Sequence, residues 1–187
     1  MVFSLISRVV NGVRGGVSAS LKGVTNVADS VVDAVKNTTV SILKESKEFV
    51  QEGLDIPASI VKGAFDGIGD IGASVITSVK DIVKGAVHGF IKSGGKQEHA
   101  VHGAVAQAVH SAKGLGVDVG ETAVLAVKGS VEAVQQVGGD IVSATREAVI
   151  AASNAAEKIG GDTIDAVRKS LVEGIEGAQE ILEAMKK

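Results

Sequence analysis

The chain has no cysteine, no tryptophan and no tyrosine, and it carries a single proline and four phenylalanines in 187 residues. Without cysteine there is no disulfide framework and no thiolate metal site, and the redox compartment is unmarked. An aromatic content of 2% removes the bulk on which most globular cores and enzyme pockets are built. It also removes the stacking platforms of proteins that bind single-stranded nucleic acid. Neither sign of charge dominates: 19 Lys and Arg against 22 Asp and Glu leave a net charge of -3, with no basic footprint for nucleic acid. No apolar run approaches the ~20 residues that a bilayer-crossing helix needs. The opening stretch, MVFSLISRVV, lacks a basic n-region, an uninterrupted apolar core and a clear cleavage site, which predicts cytoplasmic synthesis without a signal peptide.

What is present is Val, Ala, Ile and Gly. Hydrophobic residues make up 45% of the chain and mean hydropathy is +0.30, too apolar for a solvated disordered tail. The apolar residues form a stripe. Val24 to Ala34, VTNVADSVVDA, is the clearest copy of an eleven-residue unit that repeats from end to end. Counting units from Val2, positions 1, 4, 5, 8 and 9 fall within an arc of roughly 140° on an α-helix, and position 10 points away from it. Position 10 is the severest test of the phase. From Asn11 through Asp33, Asp66, His88, His110, Glu132 and Asp165 to Lys187, it is polar in every copy. Strict alternation is missing, which excludes a β reading. Eleven residues over three turns predict a straight or gently right-handed bundle.

The expected fold is therefore all-α, built of elongated amphipathic helices assembled laterally. The most polar copy is Phe90 to Ala100, and Ser93, Gly94 and Gly95 lie at the middle of the chain, where Gly-Gly is a strong helix stop. This predicts a long helical hairpin: residues 1–92 as a first arm, a turn at 93–96, and residues 97–187 as a second arm. Each arm, if continuous, would be on the order of 135 Å long. Asp55-Ile56-Pro57 predicts a break or kink in the first arm. Other paired glycines, such as Gly15-Gly16, Gly138-Gly139 and Gly160-Gly161, mark soft points.

The stripe carries the expected function as an assembly or lipid-facing surface. Its members are Val24, Val27, Val31, Val32, Ile60, Val61, Ile82, Val83, Val87, Val105, Val109, Val127, Val131, Val149, Ile164, Leu171 and Ile175. On one flank, position 11 is a small packing edge: Gly12, Gly23, Ala34, Gly67, Gly89, Ala100, Ala133, Ala144, Ala155, Ala166 and Gly177. Position 2, on the other flank, is a basic edge: Arg14, Lys36, Lys47, Lys80, Lys113, Arg146 and Arg168. Beside the small edge, position 7 is net acidic, with Asp118, Asp140, Asp162 and Glu173 among its members. Small residues let backbones approach closely, and a basic edge can meet a neighbour's acidic one.

Chemistry has little to stand on. His88, His99, His102 and His110 cluster in one quarter of the chain, but three of them share position 10, spaced ~16 Å apart along a helix. Lys-Gly recurs in one register at Lys62-Gly63, Lys84-Gly85 and Lys128-Gly129, without the spacing, strand or hydroxyl of a phosphate loop. No enzyme activity, cofactor or metal is expected.

LKGVTNVADSV (Leu21 to Val31), VKGAVHG (Val83 to Gly89) and AVKGSVEAV (Ala126 to Val134) resemble the eleven-residue repeats of synucleins. In period and composition they also resemble those of perilipins, exchangeable apolipoproteins and late-embryogenesis-abundant proteins. That resemblance implies helices that fold on a surface. Two functional expectations follow. The first is a non-enzymatic structural protein that self-associates into a bundle, layer or filament through the Val/Ala/Ile stripe, with itself as partner in a homo-oligomer or polymer. The alternative is a peripheral coat on a lipid membrane, droplet or other hydrophobic inclusion through the same stripe.

Overall fold

The computed structural model describes residues 2–46, 53 and 55–187, and the described chain is all α-helical. In chain order the helices are α1 (Val2–Leu21), α2 (Val27–Leu43), α3 (Asp55–Asp70), α4 (Val75–Lys92) and α5 (Gln97–Leu115). They continue as α6 (Val119–Gln136), α7 (Ile141–Ile159), α8 (Thr163–Gly174) and α9 (Ala178–Ala184). The turn expected at 93–96 is present, between Lys92 and Gln97. The long single-helix arms are not: both are divided, and α3 starts at Asp55 with Pro57 in its first turn.

The division follows from one residue type at one register. Gly72, Gly94, Gly116, Gly138 and Gly160 all occupy position 5, every second unit, and all have φ between 68° and 101°. That left-handed backbone ends a helix, and glycine adopts it without a Cβ penalty. At the first four, the following residue's N–H closes a six-residue ring: Ala73 to Ile68 O (3.3 Å), Gly95 to Phe90 O (3.0 Å), Val117 to Ala112 O (3.2 Å) and Gly139 to Val134 O (2.9 Å). This is the Schellman arrangement, which satisfies carbonyls left over at a helix end. Two residues after each glycine stands the N-cap of the next helix: Ser74, Lys96, Asp118, Asp140 and Asp162. The Asp118 carboxylate accepts the Glu121 N–H at 2.7 Å and that of Asp140 accepts the Ser143 N–H at 3.0 Å. From α4 to α7 each helix and its turn together span 22 residues, two eleven-residue units, so the phase survives these reversals.

Apart from the α2–α3 connection, which lies largely outside the described residues, short turns fold each helix back on the one before. Among the described residues, every helix–helix contact joins helices one or two apart in the chain. The result is a two-layer solenoid, with α1, α3, α5, α7 and α9 side by side in one layer and α2, α4, α6 and α8 in the other. The interior between the layers is Val, Ala, Ile and Leu, with Phe65 and Phe90 as buried aromatics.

Candidate functional site

The stripe faces this interior. Val31, Ile60, Val61, Ile82, Val83, Val87, Val105, Val109, Val127, Val149 and Leu171 are buried, and Val24, Val27, Val32, Val131, Ile164 and Ile175 are partly buried. Position 10 behaves as its polarity requires: none of its described residues is buried.

The small edge lies largely between neighbours in one layer. Ala34, Gly67, Gly89, Ala100, Ala133, Ala144 and Ala155 are buried, Gly12 is half-buried, and Gly23, Ala166 and Gly177 are exposed. A Cβ on Gly67 of α3 would stand 2.8 Å from the Arg14 carbonyl oxygen of α1. Gly63 is closer still: its Cβ would lie 2.5 Å from the Val10 oxygen, while one on Gly85 would lie 2.7 Å from that of Val32. At Gly129 the obstacle is the carbonyl of Lys80. The Lys-Gly register is therefore a packing device. Its glycine admits the backbone of the helix two earlier, and its lysine sits at the surface or half-buried.

The basic edge also finds neighbours, within the chain. Arg14 of α1 holds Asp70 of α3 through two hydrogen bonds, Nε to Oδ2 at 2.6 Å and Nη2 to Oδ1 at 2.8 Å. Lys80 of α4 pairs with Glu132 of α6 at 2.5 Å, joined by Lys84 at 3.2 Å. His102, at the same register, meets Glu147 of α7 at 2.5 Å. Arg168 Nε donates to Ser153 Oγ at 3.2 Å, and Lys36 pairs within its own helix with Asp33 at 2.8 Å. Lys113 and Arg146 are exposed, and Lys47 lies outside the described residues. The acids that meet the basic edge stand at positions 3 and 10. Asp118, Asp140 and Asp162 at position 7 are instead N-caps. The Arg14 hydrogen bonds hold Asp70 below the usual carboxylate range. Burial raises Glu132, but hydrogen bonds from Lys80 and Lys84 outweigh it and the net shift is downward.

On the outer side of the odd-numbered layer, three depressions of about 420, 240 and 620 Å³ meet around Gln107. Their polar groups answer one another: Gln107 Nε2 donates to Ser111 Oγ at 2.8 Å and Lys62 to Asp66 at 3.2 Å. His110 lines the trough and is exposed. His88 and His99 are half-buried, each with a buried Nδ1 that has no partner. Among the described residues no three His, Asp or Glu side chains gather around one ion position. None of the described helices is long and apolar enough to cross a membrane. Compared with known proteins, the chain matches no family model, no curated protein and no solved structure.

Proposed function

We propose that the chain is a non-enzymatic structural protein. Its repeat helices associate through the Val/Ala/Ile stripe within each chain, and its copies associate through the last edge of the stack. The observation that carries the reading is the inequality of the two ends. A solenoid buries each helix against the next, so its terminal helices need a polar outer face to remain single. The first edge has one: Arg8, Asn11 and Gly15 of α1 and Asn37 and Ser41 of α2 are exposed, small or polar. The last edge also exposes Asp165, Lys169, Glu176, Glu180 and Glu183, but apolar side chains interrupt it. Val172 of α8 is 43% exposed, and Ile175, Ile181 and Met185 are only partly covered.

Two copies joining at this apolar patch by a two-fold axis form a closed dimer. Sedimentation equilibrium tests this. The chain should approach twice its 18.8 kDa mass, and Val172→Glu with Met185→Glu should return it to a monomer. A wild-type chain that remains monomeric up to about 200 µM would reject the assembly, since a dimer that weak is worth little.

A further inference from the structure

The 620 Å³ depression is a saddle across α5. Its floor is the outer face of that helix, where Gln107, Ser111 and Gly114 leave it low; its walls are Lys62 and Phe65 of α3 and Lys158 and Ile159 of α7. Among the described residues α3 and α7 do not touch, and each packs on α5 from its own side. With neighbouring axes about 8–10 Å apart, the two walls stand roughly 18 Å apart from axis to axis, with room for a small molecule between them. The cations come from all three helices in order. Gly72, Gly116 and Gly160 follow α3, α5 and α7 at intervals of 44 residues, whereas Lys62, His110 and Lys158 recur at intervals of 48. Four residues more is about one further helical turn on the same face, so the three form a diagonal row across the layer.

Charge and floor together define the occupant. Lys62, His110, Lys113 and Lys158 line the saddle, with Asp66 as the one acid among the described lining residues. Lys62 engages Asp66 at 3.2 Å, so Lys113 and Lys158, both exposed, have no acid partner among the described residues. Cations gathered in a concave site raise the local concentration of anions. Ammonium groups on three helices suit an anion with two charges and several separate oxygens better than a carboxylate, which offers two oxygens and one charge. Beside them lie Phe65, half-buried Ile159 and Leu115, which is 49% exposed; an apolar body laid against them takes Leu115 out of water. We propose that the saddle binds an organic phosphate, a phosphomonoester with a small apolar body. The site shares no residue with the last edge, so it and the dimer can each fail alone.

Chemical-shift titration of the isotope-labelled chain with phenyl phosphate, inorganic phosphate and phenylacetate tests this. Phenyl phosphate should move the amides of residues 107–114 with a Kd below about 1 mM, and the other two should bind about tenfold more weakly or worse. No binding of phenyl phosphate up to about 10 mM overturns the proposal. Equal binding of inorganic phosphate overturns its apolar part, and equal binding of phenylacetate overturns the phosphate assignment. Lys113→Gln with Lys158→Gln should weaken binding about tenfold or more, whereas Lys128→Gln with Lys169→Gln, which removes two exposed lysines of α6 and α8, should not. A Cβ on Gly114 meets nothing within 4 Å, so Gly114→Phe fills the saddle without pressing on its neighbours. It should abolish binding and leave melting unchanged. A first lysine pair that binds like the wild type, a loss in both pairs alike, or binding retained in Gly114→Phe also overturns the proposal.

Discussion

At Gly129 two rules about glycine in helices point in opposite directions. An interior glycine costs about 1 kcal/mol relative to alanine through backbone entropy, so Gly→Ala ordinarily stabilises. At Gly129 the added Cβ would press on the Lys80 carbonyl of α4, which is backbone and cannot swing aside. At Gly15, on the exposed side of α1, nothing lies within 4 Å of it. We expect Gly129→Ala to lower stability by about 1–3 kcal/mol, as overpacking does. Gly15→Ala should raise it by about 0.5–1 kcal/mol. Urea denaturation of both variants checks the pair, and a gain for both would mean that α4 and α6 can separate freely. The recurrence of Lys-Gly was visible in the amino-acid sequence. Its cause was not, because the opposing carbonyl belongs to a helix dozens of residues earlier.

The elements are set by an alternation that is plain once the turns are seen. From residue 72 to residue 171 position 5 reads Gly72, Val83, Gly94, Val105, Gly116, Val127, Gly138, Val149, Gly160, Leu171. Helical class and stripe were legible from the eleven-residue phase, and the turn at 93–96 from its Gly-Gly pair and polar stripe residues. The other turns were legible at most as a break at 55–57 or as soft points such as Gly138-Gly139 and Gly160-Gly161, because a reversal that consumes a whole number of units leaves the phase unchanged, so the same pattern describes a straight helix and a folded one. Asp at position 7 read as an acidic flank for the same reason, although two residues after glycine it is a cap. Where three helices meet, the packing also makes stability depend on pH. His88 of α4 is half-buried between α2 and α6. Burial is the largest influence and lowers its pKa; a hydrogen bond with Gln136 raises it, and Lys36, Lys92 and Lys84 lower it further. Asp33 of α2 also faces the ring, as a carboxylate already engaged by Lys36. With a folded pKa below the unfolded value near 6.5, the unfolded chain takes up the proton first. Stability is full above about pH 6.5 and falls as pH drops below it. Urea midpoints at about pH 7.5 and pH 5 should therefore separate for the wild type, and His88→Gln should narrow the gap. An unchanged gap would place the acid sensitivity elsewhere.

In the whole molecule each helix touches helices one and two away, so stability should be close to a sum over neighbours, as in other solenoids. The structural repeat is then the helix pair, four sequence units long, because only a pair returns the chain to the same layer. Deleting Gly95–Gly138 removes 44 residues, α5 with α6 and one turn. The junction joins Gly94 to Gly139-Asp140, which keeps the left-handed glycine and a capping aspartate. It also keeps a glycine where a Cβ would strike the Phe90 ring. The α7 helix then takes the place of α5 beside α3, and α8 that of α6 beside α4. The shortened chain should melt cooperatively at a lower temperature, with the same helical signal per residue in circular dichroism. Deleting Gly95–Val127, 33 residues, preserves the eleven-residue phase equally well. It leaves a half-length helix after the turn and puts α7 in the wrong layer. That chain should lose cooperative melting. If both deletions fold equally well, the unit of stability is the eleven-residue block and the pairing of layers is incidental; if only the first folds, the pair is the unit on which the stack is built.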